Sequence, residues 1–293
     1  MRIAVYGTEV REEFLPIYKR IFYFFEQHNI ELLLHEQIDY FLNSVYQIDT
    51  NNAAVFGKII SPQSPIDFVL SIGGDGTFLN AISYALSLGI PIAGINCGRL
   101  GFLADISSEN LEEALLQLLT GDYKIEHRTL LEIIEPKSIM SGFKYAANEL
   151  TVQKLDNSSM IKIDSFINQE FLASYWADGL IVGTPTGSTA YSLSVGGPIM
   201  TPDLAGMIIT PIATHNLTVR PVVIPDNVEV ELRIEGRGTH FLVSIDHHSE
   251  PVEFSTILKI RKAKVTYPVV KLNGLSFYST LRNKLMWGAD KRN

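Results

Sequence analysis

Cysteine is nearly absent: Cys97 is the only one in 293 residues. No intrachain disulfide can form, and neither a cysteine-rich zinc site nor a secreted disulfide scaffold is available, so a reducing cytoplasm is the expected setting. Positive charge is also short, with 24 Lys and Arg against 32 Asp and Glu for a formal charge of −8. That balance argues against a surface built to neutralise duplex-DNA phosphates and leaves a local basic pocket open. Long apolar runs are missing. None approaches the ~18 residues a membrane span needs, and the N-terminus, with Arg2, Glu9, Arg11, Glu12 and Glu13, lacks a signal-peptide core. Repeats, low-complexity tracts and long linkers are absent too. The remainder, 46% apolar and 19% charged, describes a mildly acidic intracellular globular protein of one large or two ordinary domains.

The front half reads as alternating strand and helix. Ile3 to Tyr6 is a short strand ending at Gly7, and Phe14, Ile17, Ile21, Phe24, Phe25 and His28 recur at helical spacing. Phe68 to Ile72 is a second strand that stops at Gly73-Gly74-Asp75-Gly76-Thr77. A helix follows from Leu79 to Leu86 and ends at Gly89. Ile90 to Ile95 is the next strand, and Ser108, Glu109, Glu112 and Glu113 open a helix over Leu111 to Leu119. Helices between apolar strands predict an α/β N-terminal domain with a parallel, Rossmann-like sheet over residues 1–121. After Gly121 the runs Leu130 to Ile134, Leu150 to Gln153, Ile161 to Ile167 and Val228 to Ile234 alternate or are β-branched, with Pro and Gly between them. Residues 122–271 therefore read as a β-rich C-terminal domain, and the helical character of Leu281 to Trp287 predicts that 272–293 return to the first domain.

Chemistry concentrates in glycine-bracketed loops. Gly73, Gly74 and Gly76 lack Cβ atoms, which lets backbone N–H groups close around phosphate oxygens at the carboxyl end of a parallel strand. Asp75 inside that loop would repel phosphate. It either accepts a proton from a hydroxyl nucleophile, bridges to magnesium, or simply forms a tight turn. Thr184 to Ser192 gathers hydroxyls before Gly196-Gly197-Pro198, as a Ser/Thr-rich turn or a ligand loop. Asn148-Glu149 and Asp178-Gly179 supply groups suited to ribose hydroxyls and base edges, although each pair alone is also a common turn. Asp246-His247-His248 alternates faces along a strand, so at most two of the three share a site, and no metal site is assigned to the protein. Cys97 reads as a small buried residue, since no activating base is evident.

These motifs together resemble the NAD kinase family. The resemblance rests on Gly73 to Thr77, on Gly94-Ile95-Asn96 running into Gly98-Arg99-Leu100-Gly101-Phe102-Leu103, on Asn148-Glu149, and on Asp178-Gly179 continuing through Thr184 to Pro202. The first loop is shared with lipid kinases and phosphofructokinases; the stretch Thr184 to Ser194 followed by Gly196-Gly197-Pro198-Ile199 is far more specific. The resemblance implies an enzyme that transfers the terminal phosphate of ATP to the adenosine ribose 2′-hydroxyl of NAD, with a divalent cation, magnesium by expectation, and assembly as a homo-oligomer, dimer or tetramer. It implies no nucleic-acid or membrane partner.

By matching motifs, Asp75 would be the proton acceptor, and Gly73, Gly74 and Gly76 would leave room for phosphates. Asn148 and Glu149 would hold adenosine, and Asp178 would contact nicotinamide or its ribose. Thr189, Ala190, Tyr191, Ser192, Leu193 and Ser194 would line the NAD pocket, Tyr191 offering a ring face to a base. Asp246 and His248 fall where the family places late NAD-site residues. Trp176 departs from the pattern, standing where members restricted to NAD often carry Lys or Arg. It is a specificity candidate through a cation–π contact with oxidised nicotinamide, or else serves only to pack. Two other classes share parts of the sequence. A lipid kinase of the diacylglycerol type has the same first loop but needs an apolar channel, which the polar loop around Thr189 does not suggest. A non-catalytic NAD-sensing module would have no use for Asp75.

Overall fold

The apolar runs of the first half become the strands of a parallel sheet. The computed structural model describes residues 1–48, 50, 53–57, 65–98, 101–140, 144–155 and 159–288, so Arg99 and Leu100 of the second motif lie outside the described residues. The chain divides into two units, residues 1–127 with 267–293, and residues 128–266.

In the first unit the strands are β1 (Arg2–Tyr6), β2 (Glu31–His35), β3 (Ala54–Phe56), β4 (Phe68–Gly73), β5 (Ile92–Asn96) and β6 (Ile106–Ser107). Their order is β5-β4-β1-β2-β3, every pair parallel, with Ile3 opposite both Leu32 and Phe68. β1 and β4 are buried along almost their whole length, which is why they read as continuous apolar runs rather than as alternation. The chain builds outward from β1 in two directions, β2 and β3 to one side and β4 and β5 to the other. The carboxyl ends of β1 and β4 thus flank a topological switch point, where open α/β sheets bind ligands.

The helices of this part are α1 (Leu15–Gln27), α2 (Glu36–Asp39), α3 (Asp75–Leu88) and α4 (Leu111–Thr120). α1 buries Ile17, Tyr18, Ile21, Phe22 and Phe25, the stripe that its spacing predicts. α3 starts earlier than the apolar pattern indicates, at Asp75 rather than Leu79. Gly74 caps it in an extended conformation, and the acidic side chain in the first turn complements the helix dipole. The glycine loop is therefore half loop and half helix, and Asp75 is its first helical residue.

The chain continues through β7 (Tyr123–Glu135), β8 (Tyr145–Ala146), β9 (Glu149–Lys154), β10 (Ile161–Ile167), β11 (Glu170–Ala177), β12 (Gly179–Gly183), the short α5 (Tyr191–Ser194), β13 (Gly206–Ile212), β14 (Val222–Pro225), β15 (Glu229–Glu235), β16 (His240–Ile245), β17 (His248–Glu253) and β18 (Ile257–Leu272). In the second unit one antiparallel sheet has the order β14-β13-β12-β9-β16-β17, and another runs β11-β10-β15-β18. Leu150, Val152, Leu180 and Val243 of the first and Ile163, Tyr175 and Leu232 of the second share one apolar core. The last segment forms α6 (Phe277–Leu285), opened by a reciprocal Ser276–Ser279 capping box. The fold is the expected one in class: a parallel α/β part and a β-rich part.

Candidate active site

At the carboxyl end of β4 the chain turns sharply into α3 and presents Asp75. Its carboxylate accepts three backbone N–H groups from the segment after β5. Oδ2 accepts the Phe102 N–H at 2.9 Å, and Oδ1 accepts Leu103 and Ala104 at 3.0 and 3.1 Å. Gly101 is required for this approach, because a Cβ there would lie 1.9 Å from Oδ1. Lys284 of α6 completes the surroundings, with Nζ 3.5 Å from Oδ2. Beside the loop, residues following β1, β4 and β5 enclose a cavity of about 230 Å³ lined by Thr8, Arg11, Gly73, Gly74, Thr77 and Asn96 among others. Cys97 also borders it, but burial pushes its thiol up to about 12, which removes it as a nucleophile at neutral pH.

The second unit assembles another cluster from three distant stretches. Asp246 occupies the two-residue turn joining β16 and β17, at φ 52°. Its Oδ1 accepts the N–H groups of Asn148 and Glu149 at 2.8 and 3.0 Å, and Oδ2 that of Ala147 at 2.9 Å. The Asn148-Glu149 pair is thus held by its backbone, leaving both side chains free to face elsewhere. Burial, and after it the charge of Asp246, pushes Glu149 up to about 8, opposed by the Tyr191 N–H. One carboxyl oxygen of Glu149, Oε2, is buried with no hydrogen-bond partner among the described residues. A buried polar atom left in this state is unusual in a native protein and marks a place where a ligand group fits.

The hydroxyl-rich segment lies against Asn148. Thr184 N–H donates to the Asn148 carbonyl at 2.8 Å, and a Cβ on Gly187 would come within 2.0 Å of the same oxygen. Several of the hydroxyls are internal braces: Thr184 donates to the Ala147 carbonyl at 2.6 Å, Ser188 to Pro185 at 2.7 Å, and Ser192 is paired with Thr210 at 2.8 Å. All three residues are fully buried. Thr189, Ala190 and Leu193 are half-buried and Tyr191 and Ser194 exposed, so these present the accessible face of the segment. The Tyr191 hydroxyl accepts from Gln153 at 3.3 Å.

Asp178 is ion-paired with Lys154 at 2.7 Å, a partner that the sequence did not announce because it lies on a separate strand. Trp176 is 48% exposed; its backbone N–H donates to Asn216 Oδ1 at 3.0 Å, and its carbonyl accepts the His215 N–H at 2.8 Å. The backbone is fixed while the indole remains accessible. The His248 ring lies tilted against that of His247 with centroids 4.0 Å apart, and burial holds its imidazole below the usual range. Among the described residues no three His, Cys, Asp or Glu side chains converge to cage a metal ion.

The Glu149 environment has a sign that can be measured. In the folded protein this acid keeps its proton up to about pH 8, whereas its ordinary value is 4.5. The unfolded chain therefore releases a proton that the folded chain retains, so stability falls as pH rises through that window and levels off above it. Glu149→Gln, neutral at every pH, should gain stability relative to wild type by about 1.4 kcal/mol per pH unit inside the window. Urea unfolding of both proteins at about pH 5 and about pH 8 checks this, and a constant difference would remove the buried-acid assignment.

Comparison with known proteins agrees with this layout. The chain matches the family model of the ATP-NAD kinase N-terminal domain over residues 22–123 and that of the ATP-NAD kinase C-terminal domain over residues 147–272. It is 45% identical to the NAD kinase of Flavobacterium johnsoniae and 43% identical to that of Bacteroides fragilis, in both cases over 100% of each chain. Among solved structures, it is similar to an NAD kinase from Archaeoglobus fulgidus in complex with ATP, at TM-score 0.72 and 26% identity over 98% of each chain. Yeast NADH kinase complexed with NADH shares the fold, at TM-score 0.82 and 20% identity over 99% of this chain and 89% of that one. On two family models that together span more than half of its length and on full-length relatives well above 30% identity, this chain belongs to the NAD kinase family.

Proposed function

We propose that this protein is an NAD kinase that transfers the terminal phosphate of ATP to the adenosine ribose 2′-hydroxyl of NAD, giving NADP and ADP. The observation that carries the reading is Asp75, presented by glycines at the carboxyl end of β4 beside a cavity at the switch point of the sheet. In the transfer, the 2′-oxygen forms a bond to the γ-phosphorus, the bond from that phosphorus to the bridging oxygen of ADP breaks, and the hydroxyl proton passes to Asp75. Positioning and charge neutralisation dominate such a loose transition state, so no covalent intermediate is needed. Asp75 Oδ2 accepts a single N–H and keeps a lone pair for the hydroxyl or for a divalent cation carried on the ATP phosphates. That cation, magnesium by expectation, would neutralise phosphate charge.

Asn148 and Glu149 are the residues proposed to hold adenosine, with the Oε2 of Glu149 supporting that role. Tyr191 offers its exposed ring to a base, Asp178 contacts nicotinamide or its ribose, and His248 lines the same pocket. Asp246 serves by fixing the 147–149 backbone. The described residues contain no helix long and apolar enough to cross a membrane; cytoplasmic residence and homo-oligomeric assembly complete the reading. Light scattering at micromolar concentration should return a multiple of the chain mass, and a fully active monomer would remove the assembly.

NADP formation from NAD, ATP and magnesium is the direct test, read beside Asp75→Asn. That variant should keep NAD affinity while turnover drops roughly 10²–10⁴-fold. Its amide nitrogen would face one of the three N–H groups at 102–104, which costs about 1–3 kcal/mol of stability. Near-normal turnover in a folded Asp75→Asn protein refutes the role. Trp176 gives a second readout. A cation–π contact of ~0.5–2 kcal/mol with oxidised but not reduced nicotinamide makes wild type favour NAD over NADH. Trp176→Ala should shrink that ratio of kcat/KM values by a few-fold to ~30-fold, and an unchanged ratio assigns Trp176 to packing.

A further inference from the structure

The loop Gly73 to Thr77 brings a carboxylate, and no cation, to the place where a polyphosphate has to bind. An ATP tetra-anion approaching Asp75 meets like charge. The compensating charge comes from the other end of the sequence. α6 sets the Phe277 ring 6.3 Å from that of Phe102, centroid to centroid. About two turns further along the same face, it places Lys284 Nζ 3.5 Å from Asp75 Oδ2 and 4.4 Å from the Phe102 ring centroid. Several other cations of this unit are paired: Arg2 with Glu31, Arg20 with Glu112, Lys271 with Asp105, and Arg11, which lines the nearby cavity, with Glu9 and Glu13. Lys284 is still about one-third exposed, at 31%, and an ammonium has three donors. It can therefore stay on Asp75 while an anion binds beside the pair.

We propose that Lys284 is a positioning residue for the phosphate donor: it holds the Asp75 carboxylate against the 102–104 backbone and offsets its charge, so that ATP can bind beside an acid. The proposal rests on the NAD kinase reading. Its effect should fall on ATP affinity and not on NAD affinity, and it should depend on the charge of Asp75. A lysine that only stabilised α6 would show neither property.

The test is a double-mutant cycle read by equilibrium binding of magnesium-ATP in the absence of NAD. Lys284→Met should weaken ATP binding ~10-fold, which is about 1.4 kcal/mol. Lys284→Arg should restore affinity to within ~3-fold of wild type, because it keeps the charge. In an Asp75→Asn background, loss of Lys284 should change ATP affinity by less than ~2-fold. Steady-state kinetics should show the loss mainly in KM for ATP, with KM for NAD unchanged. Lys284→Gln runs alongside, so that a Met variant that melts early by circular dichroism does not end the experiment. Unchanged ATP affinity in a folded Met or Gln variant overturns the proposal, as does an equal loss in the Asp75→Asn background. Absence of NADP formation by the wild-type protein would instead overturn the NAD kinase reading, and the binding cycle would remain readable.

Discussion

A carboxylate that captures three consecutive backbone N–H groups organises both halves of this molecule. Asp75 does so with residues 102–104, and Asp246 with residues 147–149. Hydrogen bonds to a charged acceptor contribute about 1.5–3 kcal/mol each, so either cluster outweighs an ordinary surface ion pair. Geometry matters as much as energy. Three N–H groups pointing at one carboxylate fix the path of the backbone and the direction of the side chains it carries. In one unit this sets the loop after β5 against the glycine turn after β4; in the other it sets Asn148 and Glu149 at the start of β9.

The Asp246 cluster also divides charge unequally over two neighbouring acids. Three N–H dipoles compensate Asp246, while Glu149 has the single Tyr191 N–H and an oxygen with no partner. Burial pushes both carboxyls up; the N–H groups of residues 147–149 oppose that shift at Asp246, while the charge of Asp246 adds to it at Glu149. Burial first, and then the acid that positions its backbone, keep the proton on Glu149, and below about pH 8 it presents both an acceptor oxygen and a donor O–H. Such a group suits a ribose hydroxyl, which is itself donor and acceptor.

Much of the architecture was legible because its signals are local. Apolar runs marked β1, β4 and β5, helical spacing marked α1, and the glycine loop marked a strand-to-helix turn. The family resemblance rested on the same contiguous motifs. What stayed hidden depends on chain crossings that no spacing encodes. Asp246 reaches Ala147 across 99 positions, Asp178 finds Lys154 on another strand, and Lys284 lies near the opposite end of the chain from Asp75. The hydroxyls of the 184–192 segment show a different gap. Their number suggested ligand contacts, yet Thr184, Ser188 and Ser192 are spent on internal partners. Short helical turns such as those at Thr186–Thr189 and Tyr191–Ser194 leave backbone groups to be satisfied, and Ser and Thr do so compactly. Composition alone cannot separate a brace from a ligand group.

In the proposed reaction Asp75 both anchors a loop and acts on a hydroxyl, and the two demands conflict if the whole carboxylate serves each. Its two oxygens resolve the conflict. Oδ1 accepts two backbone N–H groups and approaches Gly101 so closely that no side chain fits there, so it is the anchor. Oδ2 accepts one N–H and looks toward Lys284, which leaves it a lone pair and a nearby positive charge. A proton arriving on Oδ2 neutralises the carboxylate without taking a hydrogen bond from Oδ1. The loop can then hold its place through transfer, and the enzyme does not have to rebuild its site at each turnover, which is the advantage of a preorganised site over one that reorganises with the reaction.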